Sequence, residues 1–195
     1  MAARGPYARG IAKREEILGV ALEQFSRHGY DRTSVREIAR LTGLSQAGLL
    51  HHFSSKEELF TEVLRRRDAR NEHEYIQDAG GSVTADGLVS IVRHNSREPG
   101  LVRLFVTMSA ESTATDDPAH DFFESRYRKL RADLASDVRS RQESGEIAPD
   151  LDADAVASLL VAAADGLQVQ WLLDPDEADM GDRLELLWQL VRRVR

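Results

Sequence analysis

Four consecutive residues, Ser45, Gln46, Ala47 and Gly48, have the chemistry of a group that reads the edge of a base pair. The Gln46 carboxamide, able to make a bidentate contact, is the best base-reading candidate, and the Ala47 methyl suits a thymine methyl. Gly48 leaves room for the backbone to come close. Groups that hold phosphates stand on either side: the Thr33 and Ser34 hydroxyls, the Arg36 guanidinium, and Lys56 at a helix start, where the first backbone amides have no partner. Phosphate contacts place a protein on a duplex and base contacts give it a preferred sequence, so residues 33–56 carry both halves of a DNA reader.

Such residues need short, tightly turned helices to present them, and the spacing supplies three. Ser34 followed by Glu37 is a capping box, each side chain satisfying a backbone amide that a first helical turn leaves unpaired. Val35, Ile38, Ala39 and Leu41 or Thr42 fall on one side of the helix that follows, and Gly43 ends it in the left-handed conformation that glycine adopts cheaply. Leu44 plugs the turn and Ser45 caps a second helix, from which Leu49 and Phe53 turn back to a core. Ser54 or Ser55 caps a third, beginning Lys56-Glu57-Glu58-Leu59. Helices joined so closely make a helix-turn-helix, whose second helix lies in the major groove and presents its N-terminal residues to the bases. The remainder also reads as helix, with no convincing alternating strand: runs fall near 11–28, 34–41, 45–51, 55–78, 84–97, 99–113, 118–145, 152–173 and 181–194. Breaks come at Gly80-Gly81-Ser82, Pro99-Gly100, Asp116-Asp117-Pro118, Gly145 to Pro149 and Asp174-Pro175. The fourth run leaves the reader through Arg65-Arg66-Arg67 and is the natural mechanical connector.

The 195 residues are 42% hydrophobic and 30% charged, enough for a packed core in one or two helical domains and unlike a disordered tail. Cysteine is absent, which excludes disulfides and thiolate metal sites and suits a reducing cytoplasm. The first ten residues are polar and basic, with no secretion signal, and no apolar run approaches the roughly 18 residues of a membrane helix, so a cytoplasmic protein without membrane contact is expected. The net charge of −7 argues against a nonspecific polyanion binder, yet it is unevenly placed: Met1–Leu50 holds eight Lys or Arg against five Asp or Glu, and Ile76–Arg195 holds thirteen against twenty-two. The amino end is the DNA-facing end, and Arg4, Arg9, Lys13 and Arg14 read either as a basic arm and first turn able to reach phosphates or a minor groove or as solvated tail charges. No HExxH, P-loop, GxSxG or paired-glycine nucleotide motif is present. The near pairs His94 with Glu98, His120 with Asp121, and His51 with His52 lack a third ligand, so no enzyme, metal or cofactor site is expected.

From about Ile11 to Leu64 the chain resembles the TetR family of bacterial transcription regulators, through Ile17, Ala21, Phe25, Gly29-Tyr30, Thr33-Ser34-Val35, Ile38-Ala39, Gly43-Leu44-Ser45, His52-Phe53, Ser55-Lys56-Glu57 and Leu59. The resemblance implies an all-α fold, an N-terminal three-helix helix-turn-helix domain followed by a C-terminal helical ligand-binding and dimerisation domain. The corresponding divisions are a flexible basic arm over 1–10, the DNA-binding domain over 11–55 and the ligand-binding and dimerisation domain over 56–195. Leu50 stands where the family usually carries a tyrosine whose hydroxyl meets a phosphate, and His51 or His52 is the candidate substitute for that contact.

Ala153 to Leu173 and Arg183 to Val194 are too apolar to stay exposed in a monomer, and Ala155, Ser158, Ala162 and Gly166 recur at a spacing that lets another helix come close. The resemblance places these segments in the four-helix bundle of a homodimer, which would bind the two half-sites of a double-stranded, palindromic operator. It also implies a small-molecule effector site among the middle helices. Candidates there are Val92, Phe105, Met108, Phe123, Tyr127 and Trp171, with Glu111 and Gln168 as polar groups, and with Val89, Phe122, Leu160, His94, Asn95 and Gln170 nearby in the pattern. The expected function is that of a repressor released from its operator when the effector tilts the connector. The other reading is a helical homodimeric interaction module without sequence-specific DNA binding, which would not need the capped, net-positive triplet of helices at the amino end.

Overall fold

Pro6 opens the first helix, its fixed φ preorganised for a first turn and its missing N–H no loss there. The structure, a computed structural model, describes residues 6–28, 32–75, 82–177 and 179–193, with backbone alone for 6–9, 26 and 72–75. Its regular elements are α1 (Pro6–His28), α2 (Val35–Leu41), α3 (Gln46–Leu50), α4 (Lys56–Tyr75), α5 (Ala85–Asn95), α6 (Pro99–Glu111), α7 (His120–Glu143), α8 (Ala153–Leu173) and α9 (Met180–Arg193), with no strand among the described residues. The flexible arm expected over 1–10 is therefore helix from Pro6 onward. Arg4, the Arg9 side chain, the Gly29-Tyr30 pair, the Gly80-Gly81 break and the fourth run beyond Tyr75 lie outside the described residues.

The chain packs as two compact units, one of residues 1–68 and 98–119, the other of 69–97 and 120–195. The sequence suggests a boundary at 55–56, where α4 starts; the packing divides α4 near Asp68 and gives α6 to the first unit, because α6 lies on α1. In that unit Ile17, Ala21 and Phe25 recur every four residues on α1 and are fully buried, and the Phe25 ring meets Phe60 of α4 edge-on with centroids 4.8 Å apart.

In the second unit α7 lies along α8, and α9 packs on both α5 and α8. Gly145 takes a φ of 78° after α7, and the Gln142 amide donates to the Ala148 and Leu151 carbonyls at 2.9 and 2.8 Å, which fixes the turn into α8. At the crossing of α5 and α9 a Cβ on Gly181 would lie 2.8 Å from the Arg93 Cβ and 3.2 Å from its Cα. Arg93 then reaches Asp182 at 3.0 Å and Glu185 at 2.6 Å. Gly181→Ala is expected to lower stability by about 1–3 kcal/mol through overpacking, outweighing a helix-propensity gain of up to about 1 kcal/mol. An unchanged thermal midpoint would show that α5 and α9 separate at little cost.

α8 is long and apolar enough to cross a membrane by length and composition, which corrects the expectation that no run approaches that length. Part of the helix is buried in the unit, through Val156, Ala157, Leu160, Val161, Ala164 and Trp171. Another face is bare: Leu159 is 65% and Leu173 82% exposed, and α9 has its own exposed leucines, Leu186 and Leu190.

Candidate nucleic-acid interface

The caps that form α2, α3 and α4 also build the exposed face of the first unit. Ser34 Oγ accepts from the Glu37 amide at 3.1 Å, Ser45 Oγ from the Gly48 amide at 3.0 Å, and Ser55 Oγ from the Glu58 amide at 3.1 Å, so Ser55 is the cap of α4. The expected capping box at Ser34 is half formed. Glu37 turns its carboxylate to Arg40, at 2.7 and 3.0 Å, and that hydrogen bond holds its pKa below the ordinary range. Gly43, at φ 67°, ends α2, and the Leu44 amide closes the turn on the Ala39 carbonyl at 2.8 Å.

Two cations expected to reach phosphates are used inside the fold. Lys13 Nζ donates to the Thr42 carbonyl at 2.6 Å, at the C-terminus of α2, and pairs with Glu16 at 2.9 Å. Arg14 donates to the His52 carbonyl just past α3, pairs with Glu58 at 3.3 Å and Glu62 at 3.5 Å, and lies 4.1 Å from the Phe53 ring centroid. Adjacent residues of α1 thus hold the C-terminal ends of both helices of the reader, where carbonyls lack helical partners and positive charge is favoured. Glu58 completes the brace by accepting from the Ser54 hydroxyl at 2.6 Å and its amide at 2.5 Å; these bonds, with that from Arg14, hold the Glu58 pKa low against its burial. Arg14→Met is expected to weaken specific DNA binding about tenfold by loosening α3, leaving the salt dependence unchanged. A slope reduced by about one phosphate per subunit would return Arg14 to the DNA contacts.

Thr33, Ser34, Arg36, Gln46 and Lys56 line one groove on this face, together with Leu50, Ser54 and Ser55. Ser34, Arg36, Ser45 and Gln46 line a second, with Glu37 and Arg40. Gln46 and Arg36 therefore border both, and both are exposed; Arg36 has no ion pair or hydrogen bond among the described residues. Thr33 departs from its expected role, since it is buried and its hydroxyl donates to the Gln24 carbonyl at 3.3 Å. Ala47 and His51 are exposed, Gly48 and His52 partly so, and the two imidazoles meet edge-on with centroids 6.2 Å apart. Gly48 serves its own cap as well: a Cβ there would lie 3.2 Å from Ser45 Oγ. Leu50 and Ser54 were not among the expected contacts, whereas Ser55 belongs to the helix start expected to hold a phosphate. The signal for Leu50 is its place four residues after Gln46, on the same side of α3.

The effector candidates divide between the units. Phe105 and Met108 are buried in the first, but Glu111 is exposed at the end of α6, which corrects its placement in an interior site. Val92, Phe123, Gln168 and Trp171 are buried in the second, where the half-buried Tyr127 donates to Asp165 at 2.7 Å. Asp165 was missed, although it is the one charge between Asp154 and Asp174 in an apolar helix.

Comparison with known proteins gives this arrangement relatives. The family model described as bacterial regulatory proteins, tetR family, matches residues 17–63, and that described as BetI-type transcriptional repressor, C-terminal, matches residues 86–194. The transcriptional repressor AcnR of Corynebacterium efficiens is 27% identical over 188 residues, 94% of this chain and 94% of its own length. Among solved structures, a transcriptional regulator from Saccharomonospora viridis in complex with choline is similar at a TM-score of 0.74 and 27% identity, covering 94% of this chain and 97% of that one. Salmonella enterica GusR is similar at a TM-score of 0.67 and 25% identity, over 93% of this chain and 96% of its own.

Proposed function

Because this chain belongs to the tetR family of bacterial regulatory proteins and is a DNA-binding transcriptional regulator, we propose that it is a cytoplasmic repressor which a small-molecule effector releases from a palindromic operator. In this reading residues 11–55 read DNA, while 56–195 bind the effector and pair two copies. α3 enters the major groove, where Gln46 contacts a base edge and Ala47 a thymine methyl. Arg36, Lys56 and the first amides of α4 hold phosphates, and Ser34, Ser45, Gly48, His51 and His52 complete the surface. The observation that carries the reading is the exposed Gln46 on the shared wall of two grooves, beside an Arg36 with no ion pair or hydrogen bond among the described residues.

The bare apolar sides of α8 and α9 support a homodimer, since a monomer that leaves such a surface in water is prone to association. Two copies would set their α3 helices about 34 Å apart, one turn of the duplex. An effector that prefers a form with another separation lowers DNA affinity by its preference between the two forms. The choline complex of the Saccharomonospora regulator supports a small-molecule response.

Selection of genome fragments by the purified protein, with sequencing of the retained DNA, tests the reading. Recovery of a palindrome is expected; absence of enrichment would favour the helical interaction module. On the recovered site Gln46→Ala is expected to cost about 1–3 kcal/mol at particular base positions. A uniform loss across all positions would remove Gln46 from base reading.

A further inference from the structure

Between Ala155 and Leu173 α8 carries one charge, Asp165, and the hydrogen bonds around it leave an acceptor over. Asp165 Oδ2 accepts from the Tyr127 hydroxyl of α7 at 2.7 Å. Gln168 Nε2 donates to the Ala164 carbonyl at 3.3 Å and to Asp165 Oδ1 at 3.4 Å. Gln168 Oε1 is then buried without a partner among the described residues, on a residue 5% exposed. Buried amide oxygens are nearly always paired, so one left over calls for a donor from outside the chain. The side-chain oxygens of Asn71 and Asn95 in the same unit are also buried without partners among the described residues.

Burial pushes the Asp165 pKa up, against the Tyr127 hydrogen bond and a weaker attraction from Arg126. The surroundings are aromatic: the Tyr127 ring lies 6.4 Å from that of Phe123, which lies 5.0 Å from that of Phe122, and buried Trp171 follows Gln168 by three residues on α8.

We propose that Tyr127, Asp165 and Gln168 are the polar anchor of the effector site, and that the site takes a protonated primary or secondary amine carried on an apolar body. The inference rests on the effector-responsive reading above. One N–H of the ammonium meets Asp165 and a second meets Gln168 Oε1, while the body lies against the aromatic side chains, whose ring faces favour a cation. A carboxylate ligand would meet Asp165 as a like charge. A quaternary ammonium has no N–H for Gln168, and an alcohol has one donor and no charge.

Calorimetry on the full-length protein with phenethylamine, its N-trimethyl analogue, phenethyl alcohol and phenylacetate tests the assignment. The amine is expected to bind at least about tenfold tighter than the analogue and the alcohol, and phenylacetate not to bind. Asp165→Asn and Gln168→Leu should each cut the advantage of the amine over the alcohol about tenfold, with unchanged far-UV helicity marking an intact fold. Tyr127→Phe, which removes a hydroxyl alone, is the milder variant should either of those fail to fold, and it should also reduce that advantage. Phenylacetate binding as tightly as the amine, an undiminished amine advantage in a folded variant, or no amine binding overturns the proposal. Operator release measured alongside separates this inference from the reading beneath it. Release by phenylacetate or the alcohol alone keeps the effector-responsive repressor and removes the amine, whereas amine binding without release keeps the site and removes its regulatory role.

Discussion

Replacing Leu159 and Leu173 together by glutamate is expected to leave a folded monomer whose operator affinity is lower by about 10²–10⁴-fold. The two residues stand at opposite ends of a stripe on α8, Leu159, Ala162, Gly166, Val169 and Leu173, at the alternating three- and four-residue spacing of one helix face. Ala162 and Gly166, small and at the middle of the stripe, suit a close crossing by a second helix. Glutamates on a face that a partner covers would have to be buried unpaired, which defeats association. In the free chain both positions are largely solvent-exposed, so folding is spared. Affinity falls because a dimer places its second reading head at high effective concentration once the first is bound, and a monomer has no second head. Sedimentation equilibrium and a binding titration on the same variant check this. A variant that remains dimeric, or a monomer that keeps full affinity, would place the pairing surface elsewhere.

Trp188→Ala is expected to destabilise the protein by about 3–5 kcal/mol, the range for deleting a large buried aromatic side chain. Trp188 is 1% exposed on α9, and its indole N–H donates to Asp86 Oδ1 of α5 at 3.1 Å. The other Asp86 oxygen pairs with Arg141 of α7 at 2.6 Å, and the Arg141 guanidinium lies 5.3 Å from the indole ring centroid. Burial disfavours the charge on Arg141, but Asp137, Asp86 and Glu146 outweigh it and raise the guanidinium pKa. One indole thus ties α5, α7 and α9 together, and removing it leaves a void and loses the hydrogen bond to Asp86, whose exposed carboxylate water can then solvate. Trp188→Phe keeps most of the ring and should cost less, chiefly the hydrogen bond, about 1 kcal/mol on its own. Denaturant titrations of both variants give the comparison; equal losses would assign the effect to the N–H rather than to packing.

Caps, periodicity and breaks made the helices legible in the sequence, to within two residues at most described ends. These signals act within one turn of chain: a serine hydroxyl meets an amide three residues on, and Gly43 stops α2 by its own φ. The grouping of Ser34, Arg36, Ser45, Gln46 and Lys56 on one face followed from the same local rules. So did the apolar character of α8, although not which of its sides would be buried.

What each charged side chain does was decided by the tertiary structure. Lys13 and Arg14 look like phosphate contacts in sequence because a cation finds whatever negative group lies near, and their partners lie far along the chain. Thr42 is 29 residues from Lys13, while His52 and Glu58 are 38 and 44 from Arg14. Asp165 likewise became half of a pair because the fold set Tyr127, 38 residues away, against it. The sequence by itself determined the helices, their order and the grouping of Ser34, Arg36, Ser45, Gln46 and Lys56 on one face, since those depend on backbone hydrogen bonds and side-chain period over a few residues. The tertiary structure decided which cations brace the reader, which half-buried acid meets a tyrosine and which apolar face stays bare, since each of those depends on atoms that come together only when distant helices pack.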